Sequence, residues 1–102
     1  MIRPKLKQIL KSLKMYQPQK VILFGSYAKG TNDQYSDIDL VIIKNTRRRF
    51  LDRIKDVIEI IKPSFAIDIL VYTPREFQKM FSQGNLFVES VIREGKVVYE
   101  KK

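Results

Sequence analysis

Hydrophobic and polar positions alternate along this chain with two periods, and the switches between them mark the elements. Ile2, Leu6, Ile9, Leu10 and Leu13 recur at helical spacing with lysines between them, which predicts an amphipathic helix over about the first fifteen residues. Pro18 in "YQPQ" stops it. "KVILF" is a short continuous apolar run ending at Gly25, the pattern of a buried strand. Ser26 to Gly30 leaves room for one helical turn, "TNDQYS" reads as a polar loop, and "DIDLVII" as a second strand. A periodic helix is expected from Thr46, with Phe50, Leu51, Ile54, Val57, Ile58 and Ile61 inward and Pro63 at its end. "FAIDILVYT" is the third strand. In "TPRE", Thr73 can cap a helix, with Pro74 at its first position and Glu76 reaching back. That helix is expected to reach about Gly84, a further one to span 85–93 and stop at Gly95, and "KVVYE" to close as a strand.

Strands alternating with helices predict an α/β (α+β) fold: one domain over residues 1–102, with a small mixed sheet and helices packed on one face. Alternation sharpens this. Ile38, Leu40 and Ile42 share one face of the second strand, while Asp37, Asp39, Val41 and Ile43 share the other. In the third strand, Ala66, Asp68 and Leu70 alternate with Ile67, Ile69 and Val71. Each strand therefore offers an apolar face to helices and sets its aspartates on the opposite face.

Strands disfavour aspartate, so their placement needs a cause. If the two strands are neighbours, Asp37, Asp39 and Asp68 converge. Two carboxylates about 4 Å apart repel by roughly 4 kcal/mol at an effective dielectric near 20. A divalent cation reverses the sign of that interaction. The chain has no cysteine and no histidine, so a metal must be held by oxygen, which favours Mg²⁺ or Mn²⁺. The same absence removes disulfides and histidine acid–base chemistry.

The turn before the second strand adds a second half to such a site. Backbone N–H groups after a buried strand can face an anion, Gly25 permits close approach, and Ser26 adds a hydroxyl. Lys29 can add positive charge. The glycine patterns of Walker and dinucleotide-binding loops are absent, and "LVII" stands where a calcium loop needs oxygen ligands. Net charge of +9 points to an acidic partner such as nucleotide phosphate. Arg47, Arg48 and Arg49 cluster where a helix start disfavours cations, which raises an alternative: a non-catalytic subunit masking a partner or nucleic acid through its basic surface. Tyr27 and Tyr35 flank the turn and either stack on a base or cover the loop. No apolar run spans a bilayer and no secretory block follows Met1, so a cytoplasmic protein is expected.

"GSYAKGTNDQYSDIDL" resembles the signature of the DNA polymerase β-type nucleotidyltransferases, and the chain is most similar to their minimal (MNT) class. The resemblance runs from "VILFGSYAKG" through "FAIDILVYT" to "REGKVVYE". It implies the nucleotidyltransferase fold and transfer of a nucleoside monophosphate, AMP from ATP, to an acceptor hydroxyl. By position, Gly25, Ser26 and Lys29 would bind the nucleotide. Asp37, Asp39 and Asp68 would be catalytic and hold two divalent ions, with Asp68 activating the hydroxyl. Lys29 stands where such motifs often carry arginine. Larger relatives carry acceptor-binding domains, so here recognition is expected to come from a partner or a second copy. For the MNT class the resemblance implies a helical HEPN-type toxin as partner, modified on a tyrosine, with the MNT chain as antitoxin.

Overall fold

The computed structural model describes residues 2–33 and 36–102, so Tyr35 lies outside the described residues. β1 (Lys20–Phe24), β2 (Ile38–Ile43), β3 (Ile67–Tyr72) and β4 (Lys96–Glu100) form one sheet in the order β3-β2-β1-β4. β1 runs antiparallel to both β2 and β4, whereas β2 and β3 are parallel. A parallel pair needs a crossover. Helix α3 (Phe50–Ile61) supplies it, and α4 (Pro74–Ser82) and α5 (Leu86–Glu94) carry the chain to the far edge. α1 (Ile2–Leu13) continues into a 3-10 turn at Lys14–Tyr16, and α2 (Ser26–Lys29) is the single turn after β1. No described helix is long and apolar enough to cross a membrane.

The sheet divides two apolar layers. On one side Ile9 and Leu13 of α1 and Val57 of α3 pack against Val21, Leu23, Leu40, Ile42, Ile69 and Val71. Helices on one face were expected, and α1 and α3 meet that expectation. The short pair α4–α5 takes the other face, where Phe77, Met80, Phe87 and Val91 cover Ile22, Val41, Ile43 and Tyr72. The physical reason lies within the strands. The face that begins with Asp39 and Asp68 continues with Val41, Ile43, Leu70 and Tyr72, which require cover from water. Asp37 and Asp68, at the aspartate end, stay exposed.

Thr73 and Glu76 form the expected reciprocal cap: Thr73 Oγ1 accepts from the Glu76 N–H at 3.1 Å, and Glu76 Oε1 accepts from the Thr73 N–H at 2.8 Å. Glu76 has a second task. Arg53, only 6% exposed, donates from Nη1 and Nη2 to the two Glu76 oxygens at 2.6 and 3.1 Å. Its remaining donors reach the Arg48 and Val71 carbonyls. One ion pair thus joins α3, β3 and the start of α4.

α3 begins at Phe50, four residues later than Thr46, because Arg49 is extended and Thr46 Oγ1 instead accepts from the Arg48 N–H. Leu51, expected inward, is 75% exposed, and the buried position falls to Arg53. The helix ends at Ile61, where Lys62 closes it with a left-handed φ of 48° and Pro63 follows.

Glu76→Ala removes the helix cap and strands a buried guanidinium. It is expected to destabilise the fold by about 2–3 kcal/mol, given that the Glu76 side chain is partly solvated. Thr73→Ala, which loses the cap alone, should cost about 1 kcal/mol. Urea unfolding of the two variants checks the order.

Candidate active site

The candidate site is built where β1 ends. Phe24 pairs with Asp39, and Asp39 pairs with Asp68, so the three side chains stand in a row across β1, β2 and β3. The row depends on register. A shift of one residue would send both aspartates to the opposite face.

Immediately after Phe24 the chain turns. Gly25 adopts φ 75°, ψ −155°, and its carbonyl accepts from the N–H groups of Ala28 and Lys29 at 3.1 Å each to close α2. A Cβ on Gly25 would overlap Asp39 Oδ2. Glycine is therefore required twice here, for backbone conformation and for the approach of the turn to a carboxylate. The returning loop is drawn in by Ser36, whose Oγ accepts from the Asp33 N–H at 2.9 Å. Asp37 follows directly, exposed at the head of β2.

The electrostatics register the crowding. Burial, then a hydrogen bond with Asp68, then the charges of Asp68 and Asp37 push the Asp39 carboxyl up to about 6. At neutral pH the site holds negative charge against its own repulsion. Asp39 and Asp68 are brought together, and Asp37 acts on Asp39 through its charge. Among the described residues no group of three carboxylates is arranged to hold a metal ion. The donor set is nonetheless of the right kind: Mg²⁺ commonly takes one or two carboxylates and fills its shell with water and phosphate oxygens.

Ser26 is the first residue of α2 and lies directly beside Gly25. Lys29 instead reaches Glu94 at the end of α5, with Nζ to Oε2 at 3.0 Å. Tyr27 packs against the core, in keeping with a covering role. The arginine cluster has a local explanation: Arg48 binds Asp56 through two hydrogen bonds of 2.9 Å, and Arg49 binds Asp52 at 2.9 Å. These pairs offset the unfavourable placement at the start of α3. Sequence reasoning did not place Phe87 near the aspartates, yet its ring meets Phe24 edge-on at 5.4 Å, making a wall beside Asp39. No local pattern could have signalled this, since Phe87 lies 63 residues from Phe24 (87 − 24).

Residues 5–102 match the family described as Polymerase beta, Nucleotidyltransferase. The chain belongs to this nucleotidyltransferase family. Two relatives from Methanocaldococcus jannaschii (strain ATCC 43067 / DSM 2661 / JAL-1 / JCM 10045 / NBRC 100440), MJ1305 and MJ0604, are named for a protein adenylyltransferase activity assigned to them. MJ1305 is 32% identical over 87 residues, covering 79% of this chain and 58% of its own length. MJ0604 is 33% identical over 92 residues, covering 88% of this chain and 87% of its own. The family fold is found in a crystal structure from Sulfolobus solfataricus, assigned as a nucleotidyltransferase (TM-score 0.67, 18% identity, 99% of this chain and 81% of that one). It is found also in a chain of a toxin–antitoxin complex crystallised with AMP-PNP (TM-score 0.58, 21% identity, 94% and 73%). A chain of a variant MntA–HpeT toxin–antitoxin complex is similar as well (TM-score 0.61, 23% identity, 95% and 73%).

Two outcomes follow from the geometry. Because Asp39 holds its proton more tightly in the folded chain than in the unfolded one, its contribution to stability is full below about pH 3.8 and is lost as pH rises through about 6. Asp39→Asn should leave metal-free stability nearly unchanged at pH 4 and raise it by about 1–2 kcal/mol at pH 8, after allowance for solvent screening. Thermal melts of both proteins across that range check the sign. Gly25→Ala should cost about 2 kcal/mol through a strained φ and displacement of the Asp39 carboxylate.

Proposed function

We propose that this chain is a metal-dependent nucleotidyltransferase that moves AMP from ATP to a hydroxyl of a protein partner, a tyrosine of a HEPN-type toxin, and so acts as its antitoxin in the cytoplasm. The observation that carries this reading is the pairing of Asp39 with Asp68 beside the Gly25 turn. Membership of the family and the adenylyltransferase names of the two archaeal relatives support it. The toxin–antitoxin neighbours share the fold and support the choice of partner.

In this reading Asp37, Asp39 and Asp68 hold two divalent ions, Mg²⁺ or Mn²⁺. When bound, such ions stabilise the charge that develops on the attacking and leaving oxygens of an in-line displacement. The residues of the chain perform the rest. Gly25 and Ser26 receive the triphosphate on backbone N–H groups and a hydroxyl, with Lys29 available once it leaves Glu94. Asp68, on the neighbouring strand, accepts the proton of the acceptor hydroxyl. The hydroxyl oxygen forms a bond to the α-phosphorus, the bond between that phosphorus and the bridging oxygen breaks, and pyrophosphate departs. Asp39 must be ionised for metal binding, so protons compete with the ion, and the metal concentration needed for half-maximal activity should fall as pH rises through about 6.

Incubation of the chain with Mg²⁺, α-labelled ATP and the toxin partner should place label on a tyrosine. Asp39→Asn and Asp68→Asn should each reduce the rate by at least about a hundredfold, and chelation should abolish it. An unlabelled toxin in the complete mixture sinks the proposal. Neutralisation of the toxin that persists in Asp39→Asn favours the alternative of a masking subunit.

A further inference from the structure

α1 and the 3-10 turn that continues it carry two adjacent stripes. Leu6, Leu10 and Leu13 repeat at helical spacing and turn toward the core, and Lys7, Lys11 and Lys14 repeat beside them in solvent. Between this helix and the sheet's edge strand β4 opens a groove of about 510 Å³. Leu6, Leu10 and Tyr99 make its apolar floor, and Lys7, Lys11 and Lys14 make its rim. Charge in the groove has one sign. The first acidic residue of the chain is Asp33, and Glu100 of β4 is engaged by Lys20 at 3.5 Å. Among the described residues, none of the three rim lysines has a carboxylate partner.

We infer that this groove docks an acidic amphipathic helix of a partner protein. The rim lysines advance one turn at a time over about 10 Å of helix axis, matching acidic side chains that repeat with the same period. The half-buried floor suits apolar side chains at i, i+3, i+4 and i+7 of the occupant, the helix-in-groove mode of recognition. A nucleic acid would satisfy the lysines but leave the apolar floor unmatched. A membrane is disfavoured because Leu6 and Leu10 are packed against the core and cannot insert. Tyr99 belongs to the α1–α3 layer, whereas Asp39 shares its face with Val41 under α4 and α5. The docked helix therefore leaves the aspartates open, and a partner can be held and presented to them at once. The inference stands without the transferase reading.

The probe is an 18-residue fluorescein-labelled peptide with leucines at helical spacing and glutamates on both flanks. The control is the same composition scrambled to lose its apolar face. Anisotropy titration with the full chain at about 0.15 M salt should give saturable binding of the amphipathic peptide only. Lys7→Glu/Lys11→Glu, checked for folding by circular dichroism, should weaken it at least about tenfold. Amide resonances of Leu6, Leu10 and Tyr99 should shift on addition of the peptide. Asp39→Asn should leave the affinity unchanged, which separates failure here from failure of the catalytic proposal. Equal binding of the scrambled peptide, indifference to charge reversal, or shifts confined to other surfaces would overturn the inference. So would tighter binding of a uridine oligonucleotide or anionic-lipid vesicles through the same lysines.

Discussion

The contact between Asp39 and Asp68 is the constraint around which the sheet is arranged. Two carboxylates on neighbouring parallel strands repel, yet parallel pairing in this register sets them side by side. The fold tolerates this because the rest of each strand is apolar and strongly committed. Ile38, Leu40 and Ile42 are buried in one layer, and Val41 and Ile43 in the other. Slipping the register would relieve one repulsion and expose several aliphatic side chains, each worth about 1.5–3 kcal/mol when fully buried. Packing outweighs electrostatics, and the strained pair is retained at an open end of the sheet.

Gly25 adds to the same constraint from the side. The turn after β1 presses so close to Asp39 that no side chain fits. Its geometry thus couples the region proposed to hold phosphate to the carboxylates proposed to hold metal. Phe24 and Phe87 wall off the neighbouring position, which brings α5 into contact with the site although it contributes no charge to the aspartate cluster. Lys29 and Glu94 join α2 to α5 a short distance along. A single-turn helix too short to be stable alone is held between a strand end and one ion pair with α5.

The two sheet faces divide the labour. α1 and α3 form the thicker layer, with the Arg53–Glu76 pair securing the start of α3 to the start of α4. The α4–α5 layer covers only the apolar part of its face. Open carboxylates and a basic, apolar-floored groove consequently lie on opposite sides of one sheet. The proposed docking groove and the proposed catalytic site therefore do not compete for one surface.

Local pattern already determined most elements. The continuous "KVILF" run, the periodic stretch around Val57, the Thr73–Glu76 cap and the "KVVYE" strand all appear where residue spacing places them, because each is decided within a few residues by burial period or backbone hydrogen bonding. The alternation of "DIDL" likewise shows which face the aspartates take. Tertiary structure decided what depends on partners distant in the chain. Leu51 was legible as apolar but not as exposed, since the inward position in α3 went to Arg53 once Glu76 was available across the fold. Lys29 was legible as a cation near the turn, while Glu94, 65 residues later (94 − 29), claimed it. The approach of Asp68 to Asp39 required strand order and register, which arise only when two helical layers close over both faces of the sheet.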